Sequence, residues 1–151
     1  MDISSNKPVT NRSVPACTVI PVLAYEDVDQ AVDWLCNAFG FTERLRIGDH
    51  RAQLMIGTGA VIVNRRNSPD ATPLQSSTSH SLLVQVANVD HHYEEARRHN
   101  AHILQPPTDH PYGERQYTVE DPGGHNWTFS QSIADVAPEE WGATLPGQAT
   151  T

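Results

Sequence analysis

The feature that most constrains the fold is an internal repeat, because the chain consists of two halves with the same order of segments. The first half begins with an apolar segment and an amphipathic one, CTVIPVLAY and EDVDQAVDWLCNAFGF, and ends in FTERLRI, RAQLMI and AVIVN. The second half repeats that order as SLLVQVA, NVDHHYEEARRHNA, HILQPP, RQYTVE and HNWTFSQ. Each half therefore predicts a strand, a helix and three further strands.

The helix and turn positions follow from local signals. Asp27 and Asn88 stand where each helix begins and are good N-caps. Apolar residues recur at helical spacing up to Phe39, and Gly40 is expected to end the first helix. The glycine-containing segments GDH, GTG and DPGG mark turns between strands.

A βαβββ unit cannot bury both faces of its strands alone, so the two units are expected to pair edge to edge. The predicted class is α+β, with two paired βαβββ modules forming a curved mixed sheet that has helices on one face and a cleft on the other. The modules are predicted at 16–67 and 80–132, joined by a linker at 68–79. A flexible lead-in at 1–15 and a C-terminal segment and tail at 133–151 flank them.

Alternation along the strands predicts which side chains face the cleft. In HNWTFSQ, Trp127 and Phe129 are assigned to the core, while Asn126, Thr128 and Ser130 are assigned to the cleft. In SLLVQVA the same alternation directs three residues to the cleft: Ser81, Leu83 and Gln85.

Composition narrows the class of partner. The formal net charge of −8 argues against nucleic acid, which needs a basic surface. No apolar run approaches membrane-spanning length, and the opening MDISSNKPVTNRSVPA lacks a signal-peptide core. Cys17 and Cys36 form no CxxC pair, which is typical of a reducing compartment, and we expect a cytoplasmic protein.

Three stretches carry a family resemblance: PVLAYEDVDQAVDWLCNAFGF, SLLVQVANVDHHYEEARRHNA and YGERQYTVEDPGGHNWTFSQ. Together they span residues 18–131, and their pattern resembles the vicinal oxygen chelate superfamily, closest to glyoxalase/bleomycin-resistance-like proteins. Because members of that family often build their cleft across two chains, the resemblance implies a homodimer that binds a small molecule.

The resemblance also implies where a metal would lie. Metalloenzymes of this superfamily take ligands, usually His, Gln or Glu, from the first and last strands of each unit. Aligning the turn glycines of the two halves maps the last-strand positions to Val63 and Thr128, and the first-strand positions to Ile20 and Ser81. None of these is a usual ligand, so we predict no metal and no cofactor.

Further candidate ligand-binding residues lie in the second half. Arg115, in YGERQY, either binds a carboxylate or phosphate of the ligand or forms a structural ion pair with Glu114, Glu120 or Asp121. Tyr117, predicted on the same face, either stacks on a planar ligand or packs in the core. Leu83 and Asn126 complete the predicted ligand-binding set.

These observations predict a metal-free small-molecule-binding protein, sequestering an antibiotic or another partly apolar ligand. The alternative is a metal-dependent lyase, isomerase or dioxygenase of the same superfamily. That alternative requires a nonstandard ligand such as His50 or His80. The sequence contains no nucleophile elbow, phosphate-binding loop or dinucleotide-binding motif that would indicate other chemistry.

Overall fold

The computed structural model describes residues 9–66 and 80–147, so the predicted linker at 68–79 lies outside the described residues. The elements of the first module are β1 Val22–Tyr25, α1 Val28–Phe39, β2 Thr42–Ile47, β3 Arg51–Ile56 and β4 Gly59–Arg65. Those of the second are β5 Leu82–Gln85, α2 Val89–Arg98, β6 His102–His110, β7 Glu114–Glu120 and β8 Asn126–Ser132. A short 3₁₀ helix, Pro138–Trp141, follows.

Each module forms its own four-stranded mixed sheet. The strand orders are β1-β4-β3-β2 in the first sheet and β5-β8-β7-β6 in the second, so the order is the same in both. The outer pairs β1–β4 and β5–β8 are parallel, and the other pairs are antiparallel. The predicted α+β fold with two paired βαβββ modules is confirmed. The expected edge-to-edge pairing is not seen, because no strand pair of the described residues joins the two sheets.

The helices begin and end as the local signals predict. The side chain of Asp27 accepts a hydrogen bond from the Gln30 amide, and that of Asn88 accepts one from the His91 amide, both at 3.0 Å. Gly40 ends α1 with a φ of 81°, a conformation that favours glycine. No helix of the described chain is both long and apolar enough to cross a bilayer.

Both sheets and both helices contribute to one hydrophobic core. Leu23 and Val63 extend into it from the first sheet, and Trp127 and Phe129 extend into it from the second. The Phe39 ring, at the end of α1, lies 5.6 Å from the Trp127 ring and 4.7 Å from the Phe129 ring. Since the modules meet through their helix-covered sides, the open face of each sheet, opposite the helices, lies on the outside of this core.

Buried and half-buried hydrogen bonds also join the modules. The Tyr25 hydroxyl of β1 donates to Asp121 Oδ2, just after β7, at 2.5 Å. The Trp34 indole of α1 donates to the His99 carbonyl oxygen at the end of α2, at 3.0 Å. These directional contacts fix the orientation of one module on the other, which apolar packing alone specifies less strictly.

The N-terminal segment, residues 9–18, docks on the open face of the first sheet. The Arg44 guanidinium donates to the Arg12 carbonyl oxygen at 2.7 Å, and the Gln53 amide donates to the Ser13 carbonyl oxygen at 2.9 Å. Pro15 is buried. The sequence predicted a flexible lead-in at residues 1–15. The described part of that range, residues 9–15, instead docks on the first sheet.

Candidate functional site

The open face of the second sheet carries three of the predicted ligand-binding residues. Trp127 and Phe129 are fully buried toward the helices, as predicted, so Asn126 and Thr128 face the other way along β8. Leu83 pairs with Thr128 across the parallel β5–β8 ladder and is 58% exposed. The sheet register therefore brings Leu83, Asn126 and Thr128 to one accessible surface.

A hydrogen-bonded polar floor extends from Thr128 across this open face. The Thr118 and Thr128 hydroxyl oxygens lie 3.3 Å apart. One step along the strands, the Gln116 amide donates to Ser130 Oγ at 3.3 Å, and Ser130 Oγ donates to Glu114 Oε1 at 2.5 Å. Ser130 is itself fully buried, so the face offers the hydroxyl groups of Thr118 and Thr128, the Gln116 carboxamide and the Glu114 carboxylate rather than a set of metal ligands.

Arg115 and Tyr117 do not face this surface, and the prediction that places them in the cleft is wrong. Tyr117 pairs with Phe129 in the ladder and is fully buried on the helix side. Burial raises the pKa of its hydroxyl well above the usual range, and that hydroxyl lies 2.6 Å from His92 Nδ1. The alternation of Tyr117 and Val119, both apolar, was the signal in the sequence that this side of β7 faces the core.

The Arg115 side chain is held by two carboxylates near the start of α2 and the end of β6. Its Nε donates to Asp90 Oδ1 and its Nη1 donates to Asp109 Oδ1, both at 2.9 Å. The structural ion-pair interpretation of Arg115 therefore holds, with partners other than its nearest acidic neighbours in sequence. On β7, the side chains that face the open side of the sheet are those of Glu114 and Gln116, not the predicted Arg115 and Tyr117.

Val63 is also misplaced by the prediction. It pairs with Leu23 in the parallel β1–β4 ladder, is fully buried and belongs to the core. The counterpart of Thr128 in the first module is Ile62, because Val22 pairs with Ile62 as Leu83 pairs with Thr128. A shift of one residue along a strand moves a side chain to the other face of the sheet, which explains the error.

The first-strand positions lie just before the strands themselves. Ile20 is half-buried and precedes β1, and Ser81 is exposed and precedes β5. By alternation both share the open side of their sheets. On the first sheet, Gln53 and Ile62 are only 5% and 7% exposed although they point away from the core, since the N-terminal segment docks on that face.

The four family positions do not fit a divalent metal. Ile20 and Ile62 have no donor atom, and the hydroxyl groups of Ser81 and Thr128 are poor ligands compared with imidazole or carboxylate. Over residues 9–66 and 80–147, no group of three or more His, Cys, Asp or Glu side chains could hold a metal ion. We therefore assign no metal-dependent step to these positions.

The histidine of the DPGG turn has a structural environment. His125 is 6% exposed, its Nε2 lies 2.8 Å from the Ala24 carbonyl oxygen, and its ring packs 4.7 Å from the Tyr25 ring. Asp121 Oδ1 accepts the amides of Gly123 and His125, at 2.9 and 3.0 Å, and so closes the turn. This turn joins the modules rather than presenting a reactive group.

A groove of about 970 Å³ lies between the modules, beside the start of α1 and the DPGG turn and away from the open faces. Many of its charged groups already have structural partners. Asp27 caps α1, Asp29 pairs with Arg46 at 2.7 Å, and Asp49 pairs with Arg65 at 2.8 Å. The groove is large enough for a small molecule. Because three of its carboxylates are already engaged, we take the open faces as the better candidate site.

Comparison with known proteins agrees with this architecture. Residues 18–129 match the family model of the Glyoxalase/Bleomycin resistance protein/Dioxygenase superfamily. TioX from Micromonospora sp. ML1 is similar in structure, with a TM-score of 0.65 and 37% sequence identity. That similarity covers 78% of this chain and all of TioX.

The chain is also similar to a more distant solved structure and to a more distant sequence. The genomically encoded fosfomycin resistance protein FosX from Listeria monocytogenes has a TM-score of 0.62 and 17% identity, covering 77% of this chain and 93% of FosX. An uncharacterised protein of Mycobacterium bovis is 25% identical over 139 residues, covering 85% of this chain and 91% of that protein.

Proposed function

Because the chain belongs to the Glyoxalase/Bleomycin resistance protein/Dioxygenase superfamily, we propose that it binds a small, partly apolar molecule without a metal. The observation that carries this proposal is the set of side chains at the family's ligand positions. Ile20 and Ile62 are apolar, and Ser81 and Thr128 carry hydroxyl groups, at positions where metalloenzymes carry His, Gln or Glu. A site with these residues suits contact and hydrogen bonding better than coordination chemistry.

The ligand-binding surface in this proposal is the open face of the second sheet, centred on Leu83, Asn126 and Thr128. The open faces of the two sheets lie on opposite sides of a shared core, so one chain does not bring them together into a single cleft. A second copy of the chain, facing the second sheet with its own first sheet, supplies the missing wall. The proposed active form is therefore a homodimer.

Sequestration of an antibiotic is the form of binding we propose, by analogy with the bleomycin resistance proteins in the superfamily's name. The chain's net charge of −8 favours a cationic ligand over an anionic one through long-range attraction. Both cysteines described are free, in keeping with a reducing compartment, and we propose the cytoplasm.

The alternative is a metal-dependent lyase, isomerase or dioxygenase that uses His50 or His80. Both histidines are exposed, His50 after the turn that follows β2 and His80 before β5. Neither occupies one of the four family positions. Any metal there would need a different site from the one that the superfamily uses.

The test is a thermal-shift screen of chelator-treated protein against cationic antibiotics, α-keto hemithioacetals and catechols. We expect one class to raise Tm in a concentration-dependent way, because binding to the native state stabilises it. Thr128→Phe should abolish the shift by filling the open face. Thr58→Phe, at the exposed β3–β4 turn, should leave it intact.

Two results would overturn the proposal. In the first, the shift disappears on chelation and returns with zinc, nickel, manganese or iron, and is lost in His50→Ala or His80→Ala, which supports the metalloenzyme. In the second, no class shifts Tm at any concentration.

A further inference from the structure

The C-terminal segment, residues 133–147, returns to the end of the second sheet and brings an aromatic side chain with it. The Ile133 and Ala134 amides donate to the Gly113 carbonyl oxygen at 2.8 and 3.3 Å. Gly113 has a φ of 86°, and a Cβ there would lie 2.4 Å from the Ala134 carbonyl oxygen, so the close approach requires glycine. The segment then forms the 3₁₀ helix that ends at Trp141.

Trp141 and Tyr112 form an aromatic wall at the edge of the open face. Their ring centroids lie 5.4 Å apart, and the His110 ring stacks on Tyr112 with a centroid distance of 5.1 Å. The Tyr112 hydroxyl donates to Gln116 Oε1 at 3.3 Å, which ties the wall to the polar floor. Trp141 is 45% exposed, so the wall retains accessible aromatic surface.

A carboxylate lies in the same part of the floor. Glu114 is half-buried, and its Oε1 accepts a hydrogen bond from Ser130 Oγ, which also receives the Gln116 amide. Glu114 is therefore a negatively charged acceptor that is connected to the Tyr112 hydroxyl by hydrogen bonds through Ser130 and Gln116. Because Glu114 is only partly buried, its second oxygen is available to a ligand or to solvent.

No positive side chain shares this face on the two central strands. The outward positions of β7 and β8 around the floor are occupied by acidic, amide and hydroxyl residues: Glu114, Gln116, Thr118, Thr128, Ser130 and Ser132. The guanidinium of Arg115 points to the other side of β7, where Asp90 and Asp109 hold it. Among these outward positions, the charged side chain is the Glu114 carboxylate.

We propose that Glu114 and the Tyr112–Trp141 wall select a planar aromatic cation as the ligand of the open face. This inference rests on the proposed function and names the ligand class for the same site. The aromatic pair provides a stacking surface, and it adds cation–π attraction for a charged ring. Glu114 discriminates by charge, because a neutral ring of the same shape gains the stacking but not the ion pair.

The experiment compares two probes of the same ring system. 9-Aminoacridine is a planar cation at neutral pH, and acridine is its neutral analogue; their Kd values are measured by equilibrium dialysis at low salt. We expect the wild-type protein to bind the cation about tenfold more tightly than acridine. Glu114→Gln keeps an acceptor for Ser130 Oγ and should reduce that preference to about twofold or less.

Two further variants separate charge from stacking. Trp141→Leu should weaken both probes, since it removes the aromatic surface and keeps the charge. Glu139→Gln removes an exposed carboxylate from the same 3₁₀ helix and should leave both Kd values unchanged. Circular dichroism confirms that each variant is folded.

The inference is overturned if Glu114→Gln retains the wild-type preference for the cation. It is also overturned if acridine binds as tightly as 9-aminoacridine to the wild-type protein. If acridine binds as tightly as 9-aminoacridine and Thr128→Phe abolishes acridine binding, the open face still binds a small molecule. That result supports the proposed function and rejects only selection of the ligand by its charge. Failure of both probes, together with an inactive ligand screen, rejects both.

Discussion

His92 is a half-buried titratable side chain at the contact between the two modules. Its Nε2 lies 2.8 Å from the Phe39 carbonyl oxygen of the first module, and its Nδ1 lies 2.6 Å from the Tyr117 hydroxyl. A carbonyl only accepts, so Nε2 carries the proton and Nδ1 accepts from Tyr117. Burial, and to a smaller extent the nearby His91, lower the pKa of His92.

This arrangement predicts acid sensitivity. The unfolded chain binds a proton at His92 near the ordinary pKa of about 6.5, whereas the folded chain binds it only at lower pH. Between those two values the unfolded state holds more protons, so stability is complete above that range and falls as pH drops through it. The loss approaches about 1.4 kcal/mol per pH unit for one such group.

The measurement is urea unfolding of the wild type and of His92→Gln at neutral and mildly acidic pH. The variant retains a donor for the Phe39 carbonyl oxygen and should lose less stability on acidification than the wild type. His50→Gln, at an exposed position, should keep the wild-type pH dependence. Equal acid sensitivity of the wild type and His92→Gln would show that His92 does not control it.

At the same scale, sequence alternation identified the open-face residues of β8 but failed for β4. HNWTFSQ alternates large aromatic and polar side chains, so the faces of Trp127 and Thr128 could be assigned. In AVIVN the four residues before Asn64 are all apolar, and no alternation distinguishes Ile62 from Val63. The turn glycines Gly59 and Gly124 are 65 residues apart, whereas Ile62 and Thr128 are 66 residues apart, so aligning the glycines selects Val63, one residue too far along β4.

At the scale of the elements, the order of strands and helices could be predicted because each boundary has a local signal. Asp27, Asn88 and Gly40 form hydrogen bonds with backbone groups of the nearest helical turn, so their effect on the helix ends can be read from the local sequence. Because the two halves repeat, the same signals occur twice. The packing of one module on the other depends instead on long-range contacts such as Phe39 with Phe129. The spacing of residues in the sequence gives no information about those contacts. The predicted edge-to-edge pairing of the modules was therefore wrong, and the modules pack through their helix-covered sides instead.

The N-terminal segment is the element whose role was least visible in the sequence. Its composition is polar, yet Gln53 and Arg44 of the first sheet donate to its carbonyl oxygens. These acceptors belong to the backbone of Ser13 and Arg12, so the contact leaves no side-chain pattern along the segment. By covering part of the first open face, the segment narrows the surface that a ligand or second copy can reach.

Gln53→Leu should loosen the N-terminal segment without disturbing the core. The substitution removes the donor to the Ser13 carbonyl oxygen and the acceptor of Arg44, at 2.9 and 2.7 Å. A net hydrogen bond contributes about 1 kcal/mol, so detachment of the segment should become about fivefold more frequent or greater. Trypsin cleavage after Arg12, followed by mass spectrometry, measures that frequency.

Gln105→Leu on β6 is the matched control, because it changes an exposed glutamine of the other sheet. It should leave cleavage after Arg12 at the wild-type rate. If Gln53→Leu also leaves that rate unchanged, the two hydrogen bonds do not hold the segment.

At the scale of the whole molecule, the outward orientation of both open faces determines what a complete binding site requires. Val22, at the outer strand of the first sheet, and Leu83, at the outer strand of the second, are 54% and 58% exposed. Exposed apolar side chains on two parallel-paired edge strands are unfavourable in water unless another surface covers them. A two-fold dimer covers both at once, since each chain presents the same pair of faces.

Leu83→Asp should therefore convert the protein from a dimer to a monomer. The wild type is expected to elute at about 33 kDa, twice the chain mass of 16.7 kDa, and the variant near 16.7 kDa, by size exclusion with light scattering. Because Leu83 is exposed in the single chain, the substitution should change its unfolding free energy by less than about 0.5 kcal/mol. Leu104→Asp, at a 41% exposed position on β6, should remain dimeric. A wild-type protein that stays monomeric at all concentrations would contradict the shared site, and the open face of one chain would then have to bind the ligand alone.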